Sequence, residues 1–535
     1  MYSSPFSSIA APKPSKYKWQ VLSCVILGFF MILLDTTVVN VAFQTLRKEF
    51  GGSVTDSQWI ISVYVMAMGI VMPMAGFLAE RFGSKRVYLL ALILFALGSL
   101  LCGLSTSLLM LIIFRMIQGV GGGIAMPLGV TLLLQAFRRE EQGTALGIYG
   151  IAALLAPALG PVLGGWLVSL NLWRVIFFIN PPIGLIGFVM GILVLREQKS
   201  PDHFSFDVPG IITEIMGFGA ILYAASIASD AGWTAPVTLL WFGVGFVSLA
   251  AFTVIELFVA KEPLLDLRLF KDRTFLNANL LGYVSVLALF GAEFLLPIYL
   301  QFLRGLSPLE TGFILLPMAI TSGILVILSG QIYDKIGPRP LMIAGFGILV
   351  VNTWQLSQLK ADTPISWIIF LLVLRGISLG LTVQTTMVTA LSVVPPKDLP
   401  RGTSLNNALR QVVQSIGVAV LATVLASTLS PDVQAFQNAI TETTSSQPIA
   451  LCATSPAGYA TAAEDFSNVT GSWITAPTSD LLQRACDENV AGFERSYKLT
   501  FYAALAALFL GSLLPGWPQK WAGRTDTSGT LPMAG

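Results

Sequence analysis

The sequence predicts an all-α polytopic membrane protein built from two related halves, and three observations carry that prediction. Of 535 residues, 54% are hydrophobic and only 11% are charged, with a mean hydropathy of +0.75; a soluble chain carries about 25% charge. The loop Gly76-Phe77-Leu78-Ala79-Glu80-Arg81-Phe82-Gly83-Ser84-Lys85-Arg86 returns 254 positions later as Gly330-Gln331-Ile332-Tyr333-Asp334-Lys335-Ile336-Gly337-Pro338-Arg339. Glycine, acid, base, glycine and base keep the same offsets, and each copy lies between two long apolar runs, the mark of a duplicated membrane unit. Finally, lysines and arginines gather in every second connection between apolar runs.

A helix needs about 20 apolar residues to cross a ~30 Å hydrocarbon core. In lipid the backbone must satisfy its own hydrogen bonds, which selects helices. With that window, spans are expected near 20–42, 57–78, 87–105, 108–135, 143–169 and 174–195, then 209–228 and 237–259. Six more follow near 275–300, 310–332, 340–359, 365–392, 403–427 and 497–515, making fourteen. No small-residue cleavage site follows the first apolar run, so it reads as a retained helix and not a signal peptide.

The connections at one side (the N-terminus, 79–86, 136–142, 196–208, 260–273, 333–339, 393–402 and the tail) hold 20 of the 31 basic residues. The opposite connections hold about seven, so the positive-inside rule places both termini in the cytoplasm. The expected organisation is a cytoplasmic tail (1–19), a six-helix bundle (20–195), an inserted pair of helices with flanking loops (196–273), a second six-helix bundle (274–515) and a cytoplasmic tail (516–535). The second bundle includes the hydrophilic stretch 428–495, expected to face outward.

An ionised side chain near the bilayer centre costs about 3 kcal/mol even on the lenient insertion scale. The few placed there are therefore the candidates for mechanism. Asp35 falls in span 1, Arg115 in span 4, Glu293 in span 9 and Arg375 in span 12, so equivalent helices of each half offer an acid and an arginine. A carboxylate in a low-dielectric cavity is reluctant to ionise, and a nearby arginine reverses that. A motion separating the two would take up or release a proton; the alternative is a fixed ion pair that staples helices. Glu214, shortly after Pro209-Gly210 in span 7, is a candidate for coupling or substrate binding, or else an interfacial acid favoured near a helix start. Glu256, at the end of span 8, is expected to be solvated. Gln384 in span 12, with Thr382, Thr385, Thr386 and Thr389, is a candidate for lining a polar cavity.

In the duplicated loops, Glu80 and Asp334 are placed to meet a neighbouring helix end, and Arg81, Arg86 and Arg339 to meet lipid headgroups. Gly83 and Gly337 are expected to hold tight turns. Such loops gate a transport cycle or merely anchor the chain by charge. Span 5 carries Ala156-Pro157-Ala158-Leu159-Gly160-Pro161-Val162-Leu163-Gly164-Gly165. Its two prolines remove backbone donors and its glycines admit a neighbouring helix, which suggests a hinge or sealing contact. Gly119-Val120-Gly121-Gly122-Gly123 follows no strand, so it is no phosphate cradle. Cys452 and Cys486 are the only cysteines in 428–495, and an oxidising outer face would let them form a disulfide.

These motifs resemble the major facilitator superfamily and, within it, the fourteen-helix drug:proton antiporters. Gly76 to Arg86 looks like the superfamily's loop between helices 2 and 3, with Glu80 where aspartate is usual. Arg115-Met116-Ile117-Gln118-Gly119 is similar to the helix 4 motif whose arginine is implicated in proton transfer. Gly160-Pro161-x-x-Gly164-Gly165 looks like the antiporter motif of helix 5. Leu34-Asp35-Thr36-Thr37-Val38-Val39-Asn40-Val41-Ala42 resembles the helix 1 motif of fourteen-helix members, although Phe43-Gln44 lack the proline usual just after it. Trp173-Arg174-x-x-Phe177-Phe178-x-Asn180-x-Pro182 and Phe206-Asp207-x-x-Gly210 match the same branch. The resemblance implies two six-helix bundles rocking around a central cavity, with helices 7 and 8 to the side.

The function expected is proton-coupled export of small hydrophobic or cationic drugs and toxic compounds across the cytoplasmic (inner) membrane. One charge moving through 100 mV yields about 2.3 kcal/mol, a roughly 50-fold gradient of a neutral substrate. The alternative is a dedicated exporter of an endogenous metabolite, siderophore or lipid by the same mechanism. An enzyme would need a nucleophile–base pair or metal cluster in the spans, and neither is visible. No G-x-x-x-x-G-K-[ST] occurs, which excludes ATP drive within the chain. One histidine and no Cys/His cluster argue against a structural metal. The expected partners are substrate, protons and membrane lipid, with a periplasmic adaptor protein in a double-membrane organism. No nucleic acid and no cofactor are implied.

Overall fold

A computed structural model of the chain describes residues 15–197, 207–260, 263–443, 451–452 and 479–516. A helix, or a bent or broken pair of helices, occupies each of the fourteen windows. The first half comprises α1 (Ser15–Phe50), α2 (Val54–Val71 continuing as Met74–Phe82), α3 (Ser84–Gly103), α4 (Leu108–Ala136), α5 (Gln142–Ser169) and α6 (Trp173–Phe178 continuing as Asn180–Val194). The inserted pair is α7 (Val208–Ala231) and α8 (Pro236–Val254, ending in the π-helical turn Ile255–Val259). The second half comprises α9 (Arg273–Ile298, ending in the π-helical turn Tyr299–Leu303), α10 (Pro308–Ile336), α11 (Pro338–Leu356), α12 (Ile365–Ser392), α13 (Leu399–Ala426) and α14 (Ser479–Ser512). Among the described residues, nine helices are long and apolar enough to cross a membrane, and ten if the bent α2 counts as one span.

Polar side chains start several of these helices. The Asp207 carboxylate accepts from Gly210 N at the head of α7 (3.0 Å), and Asp272 accepts from Thr274 N and Phe275 N at the head of α9. Ser307 and Glu310 form a reciprocal capping box on α10. In the first half α4 lies against α1, α2 and α3, while α5 and α6 pack on α1. In the second half α12 lies against α9, α10 and α11, while α14 packs on α9 and α11. The halves meet along two related seams, α5 against α10 and α13 against the second piece of α2. Helix α7 lies beside α2 and α13, with α8 packed on it. Outward-turned apolar side chains such as Val247 (71% exposed) and Phe258 (82%) suit α8 to a hydrocarbon solvent.

Three features differ from the expectations above. Helix α2 bends by 55° at Met72-Pro73, where a proline cannot continue the hydrogen-bond ladder. The stretch 428–495 is not one long loop, because it contains the helix Pro431–Thr443 and α14 begins at Ser479, well before residue 497. The early turns of α14 are polar, so a hydropathy window cannot register them. Third, Glu256 is 1% exposed and not solvated. The chain turns back at Ala260, and the carboxylate of Glu256 accepts from the amides of Leu264 (3.1 Å) and Leu265 (3.4 Å).

Candidate functional site

Asp35 is carried by α1 at the centre of the first half, 2% exposed, facing Arg115 of α4, 1% exposed. Arg115 Nη1 donates to Asp35 Oδ2 at 2.5 Å. Gln118, one turn after Arg115 on α4, donates through Nε2 to Asp35 Oδ1 at 2.9 Å and accepts from Arg115 Nη1 at 2.8 Å. Asn180, at the head of the second piece of α6, donates through Nδ2 to Asp35 Oδ1 at 2.7 Å and to Ser99 Oγ at 2.9 Å. Arg115 is held from below as well: Nε donates to the Ile60 carbonyl at 3.2 Å, and the guanidinium carbon stands 3.9 Å from the Tyr64 ring centroid. The carboxylate thus has one cationic and two amide donors. Burying such a pair is tolerated only when the remaining lone pairs and protons are satisfied, and here they are.

Sequence reasoning found the two charges and missed the role of Gln118, Asn180 and Ser99. Neutral amides carry no burial signal of their own, and only the folded helices show them converging on one carboxylate. The counterpart in the second half is different. Arg375 of α12 is fully buried and donates to the carbonyls of Ala288 and Leu289 on α9, and to Asn352 Oδ1 of α11 at 3.3 Å. Glu293 lies on α9 about one turn after those carbonyls, but its side chain is outside the described residues. Gln384 is buried against α5, where a Cβ on Gly150 would meet its Cγ at 2.6 Å, and its Oε1 has no hydrogen-bond partner. The neighbouring threonines differ: Thr382, Thr386 and Thr389 donate to carbonyls one turn earlier in their own helix, with Met342 Sδ of α11 a second, longer contact of Thr386.

The duplicated loops form two matching ties between the halves. Asp334 accepts from Gly143 N (3.0 Å), Thr144 N (3.0 Å) and Thr144 Oγ1 (2.8 Å), capping the N-terminus of α5. Glu80 pairs with Arg401 at the start of α13, Oε2 to Nη2 2.6 Å. The first glycine of each copy makes room for the tie. A Cβ on Gly76 would stand 2.6 Å from the Pro400 carbonyl oxygen, and one on Gly330 would strike the Gly143 carbonyl. A backbone cannot yield as a flexible side chain can, so only glycine admits these approaches. The second glycines, Gly83 (φ 93°) and Gly337 (φ 82°), sit in backbone conformations that residues with a Cβ rarely adopt, each joining two helices. Arg86 pairs with Glu197 (3.5 Å), whose Oε1 also accepts from Lys85 N, while Arg81 and Arg339 lie half-exposed at the same end. A further cross-half bond, Thr131 Oγ1 to Thr403 Oγ1 at 2.6 Å, lies beside them.

Helix α5 runs unbroken past Pro157 and Pro161, whose side chains are outside the described residues. Gly160 and Gly164 press on Thr37 and Val38 of α1, while a Cβ on Gly165 would meet nothing within 4 Å among the described residues. Glu214, in α7, is fully buried, and among the described residues neither carboxylate oxygen has a hydrogen-bond partner. Cys452 and Cys486 are joined by a disulfide that fastens the segment before α14 to that helix; the amides of Leu451 and Cys452 donate to the carbonyls of Phe302 and Leu303.

The family model described as Major Facilitator Superfamily matches residues 25–418. An uncharacterized MFS-type transporter, YhcA, of Bacillus subtilis (strain 168) is 36% identical over 443 residues, covering 80% of this chain and 83% of that one. The Multidrug resistance protein B homolog of Mycobacterium tuberculosis (strain ATCC 25618 / H37Rv) is 31% identical, covering 75% of each chain. The lincomycin resistance protein LmrB of Listeria monocytogenes serovar 1/2a is 30% identical, covering 76% of this chain and 86% of its own. Among solved structures, the human organic anion transporter MFSD10 superposes with a TM-score of 0.60 at 14% identity, over 93% of this chain and all of that one. The chain belongs to the Major Facilitator Superfamily: it is a multi-pass membrane transporter of small molecules and not an enzyme.

Proposed function

We propose that the protein is a fourteen-span proton-coupled antiporter that exports amphipathic, often cationic compounds across the cytoplasmic membrane, with both termini and the basic loops in the cytoplasm. The observation that carries the proton-coupled part of this reading is the buried Asp35–Arg115 pair, bridged by Gln118 and with Asn180 also donating to Asp35, so that three helices meet at one carboxylate. Protonating Asp35 removes its attraction for Arg115 and leaves the guanidinium to its Ile60 and Gln118 acceptors, so one proton alters how α1, α4 and α6 are held together. Gln384 is a candidate substrate contact at the seam between the halves, and Glu293 a candidate second acid. The Glu80–Arg401 and Asp334–α5 ties close the cytoplasmic end. The names of the Mycobacterium and Listeria relatives support drug export as the cargo class.

The test is dye efflux from cells expressing the wild type or Asp35→Asn, with and without an uncoupler. Uncoupler-sensitive efflux in the wild type and its loss in the variant are expected. Full uncoupler-sensitive efflux by Asp35→Asn would remove Asp35 from the relay.

A further inference from the structure

Two buried acids of the inserted helices act on each other, and one of them, Glu256, is also acted on by Arg401 of the tie to Glu80. Glu214 is fully buried in α7, and among the described residues neither oxygen has a hydrogen-bond partner. Among the described residues, the charge that acts on it is that of Glu256, in the turn that ends α8. Glu256 is held by the amides of Leu264 and Leu265, and it also feels Asp207 and Arg401. Arg401 spends Nη2 on Glu80, while its Nε is buried without a partner. Among the described residues, the other charged groups on the surrounding elements are Asp56, Glu80 and Arg81 of α2, Asp266, Arg268, Lys271, Asp272 and Arg273 at the approach to α9, and Arg410 of α13.

An ionised carboxylate with no donor and no solvent costs several kcal/mol, and a second carboxylate beside it adds repulsion. A neutral carboxyl group costs far less in the same place. A proton on Glu214 removes that cost, so the neutral carboxyl group suits the arrangement seen, with Arg401 turned to Glu80. We propose that Glu214 and Glu256 form a proton-binding site in the inserted helix pair that controls the tie between Arg401 and Glu80. With the proton bound, Glu214 adds no negative charge and the two amide donors of Glu256 offset its own, so Arg401 stays with Glu80 and the halves remain tied. Loss of the proton puts a second negative charge behind Arg401. The guanidinium then turns its free Nε towards Glu256 and releases Glu80, and one of the two ties opens. The sign follows: the tied state holds the extra proton, so the ratio of tied to open molecules falls as pH rises, by up to about tenfold per pH unit for one linked proton.

The inference rests on the proposed gating role of the two ties, and the experiment separates it from the export reading. Spin labels at Glu140→Cys and Lys397→Cys, both exposed and on opposite halves, report the gap at the basic end of the full chain in lipid nanodiscs. Cys24 and Cys102 are buried and do not compete for label. The labelled wild type is expected to shift from a short to a long distance as pH rises. Glu214→Gln, a neutral mimic of the protonated acid, is expected to hold the short distance at every pH. Glu256→Gln, which removes the negative charge that would draw Arg401 from Glu80, is expected to do the same. A wild type with no pH dependence, or variants that titrate like it, would overturn the proposal. Uncoupler-insensitive efflux by the wild type would sink the export reading alone, because the distance titration needs no substrate.

Discussion

Asp334→Ala isolates one of the two ties between the halves. The carboxylate of Asp334 accepts three hydrogen bonds, two of them from backbone amides at the N-terminus of α5 and one from the Thr144 hydroxyl. Removing a helix cap costs about 1 kcal/mol, and hydrogen bonds to a charged group contribute about 1.5–3 kcal/mol each. The three bonds share one carboxylate, and water replaces them once the seam opens, so their sum is not additive. A net loss of about 2–3 kcal/mol from the tied state is the reasonable figure, a roughly 30- to 150-fold shift towards open molecules. Labels at Glu140→Cys and Lys397→Cys should show the short-distance population collapse in the Asp334→Ala background. Asp334→Asn keeps one acceptor oxygen and should fall between the two. A short-distance population in Asp334→Ala equal to that of the parent would refute the gating argument and return the duplicated loop to a charge anchor.

Three other outcomes follow from the same geometry. Asp35→Asn leaves Arg115 buried without its counter-charge, at a cost of about 3–5 kcal/mol; its thermal midpoint should fall, and Asp35→Asn combined with Arg115→Gln should recover stability but not efflux. Gly83→Val meets both a positive φ and the Glu197 carboxylate, so turnover should drop severely with membrane insertion retained; unchanged turnover would show that the turn is not needed for the cycle. Denatured, non-reduced protein should show two reactive thiols, Cys24 and Cys102, and four after reduction. Breaking the link with Cys486→Ser should lower the melting temperature, since closing a loop over a separation of 34 residues removes roughly 3–4 kcal/mol of chain entropy; a thiol count of four before reduction rules the bridge out.

Much of this protein was legible in the chain itself because the bilayer is a severe solvent. Apolar windows and basic connections follow from the cost of placing polar groups in hydrocarbon, a cost that acts on each segment alone. Helices therefore occupy the windows that hydropathy picks out, although α14 starts well before its own, and Asp35 and Arg115 stand out as charges whose burial demands a reason. The duplicated glycines and acids were readable as a repeat, and Gly83 and Gly337 as turns. Tertiary structure alone decided what those residues touch. That Asp334 caps α5 while Glu80 meets Arg401 depends on two seams between helices far apart in sequence. Gln118 and Asn180 reach Asp35 from different helices, and neither carries a charge that burial would flag. The solvated position expected for Glu256 failed for the same reason: a hydropathy window sees an acid at a helix end, whereas the return of the chain through Leu264 and Leu265 puts two amides over it. Segment energetics are written in local composition, but partners are set by packing at long range.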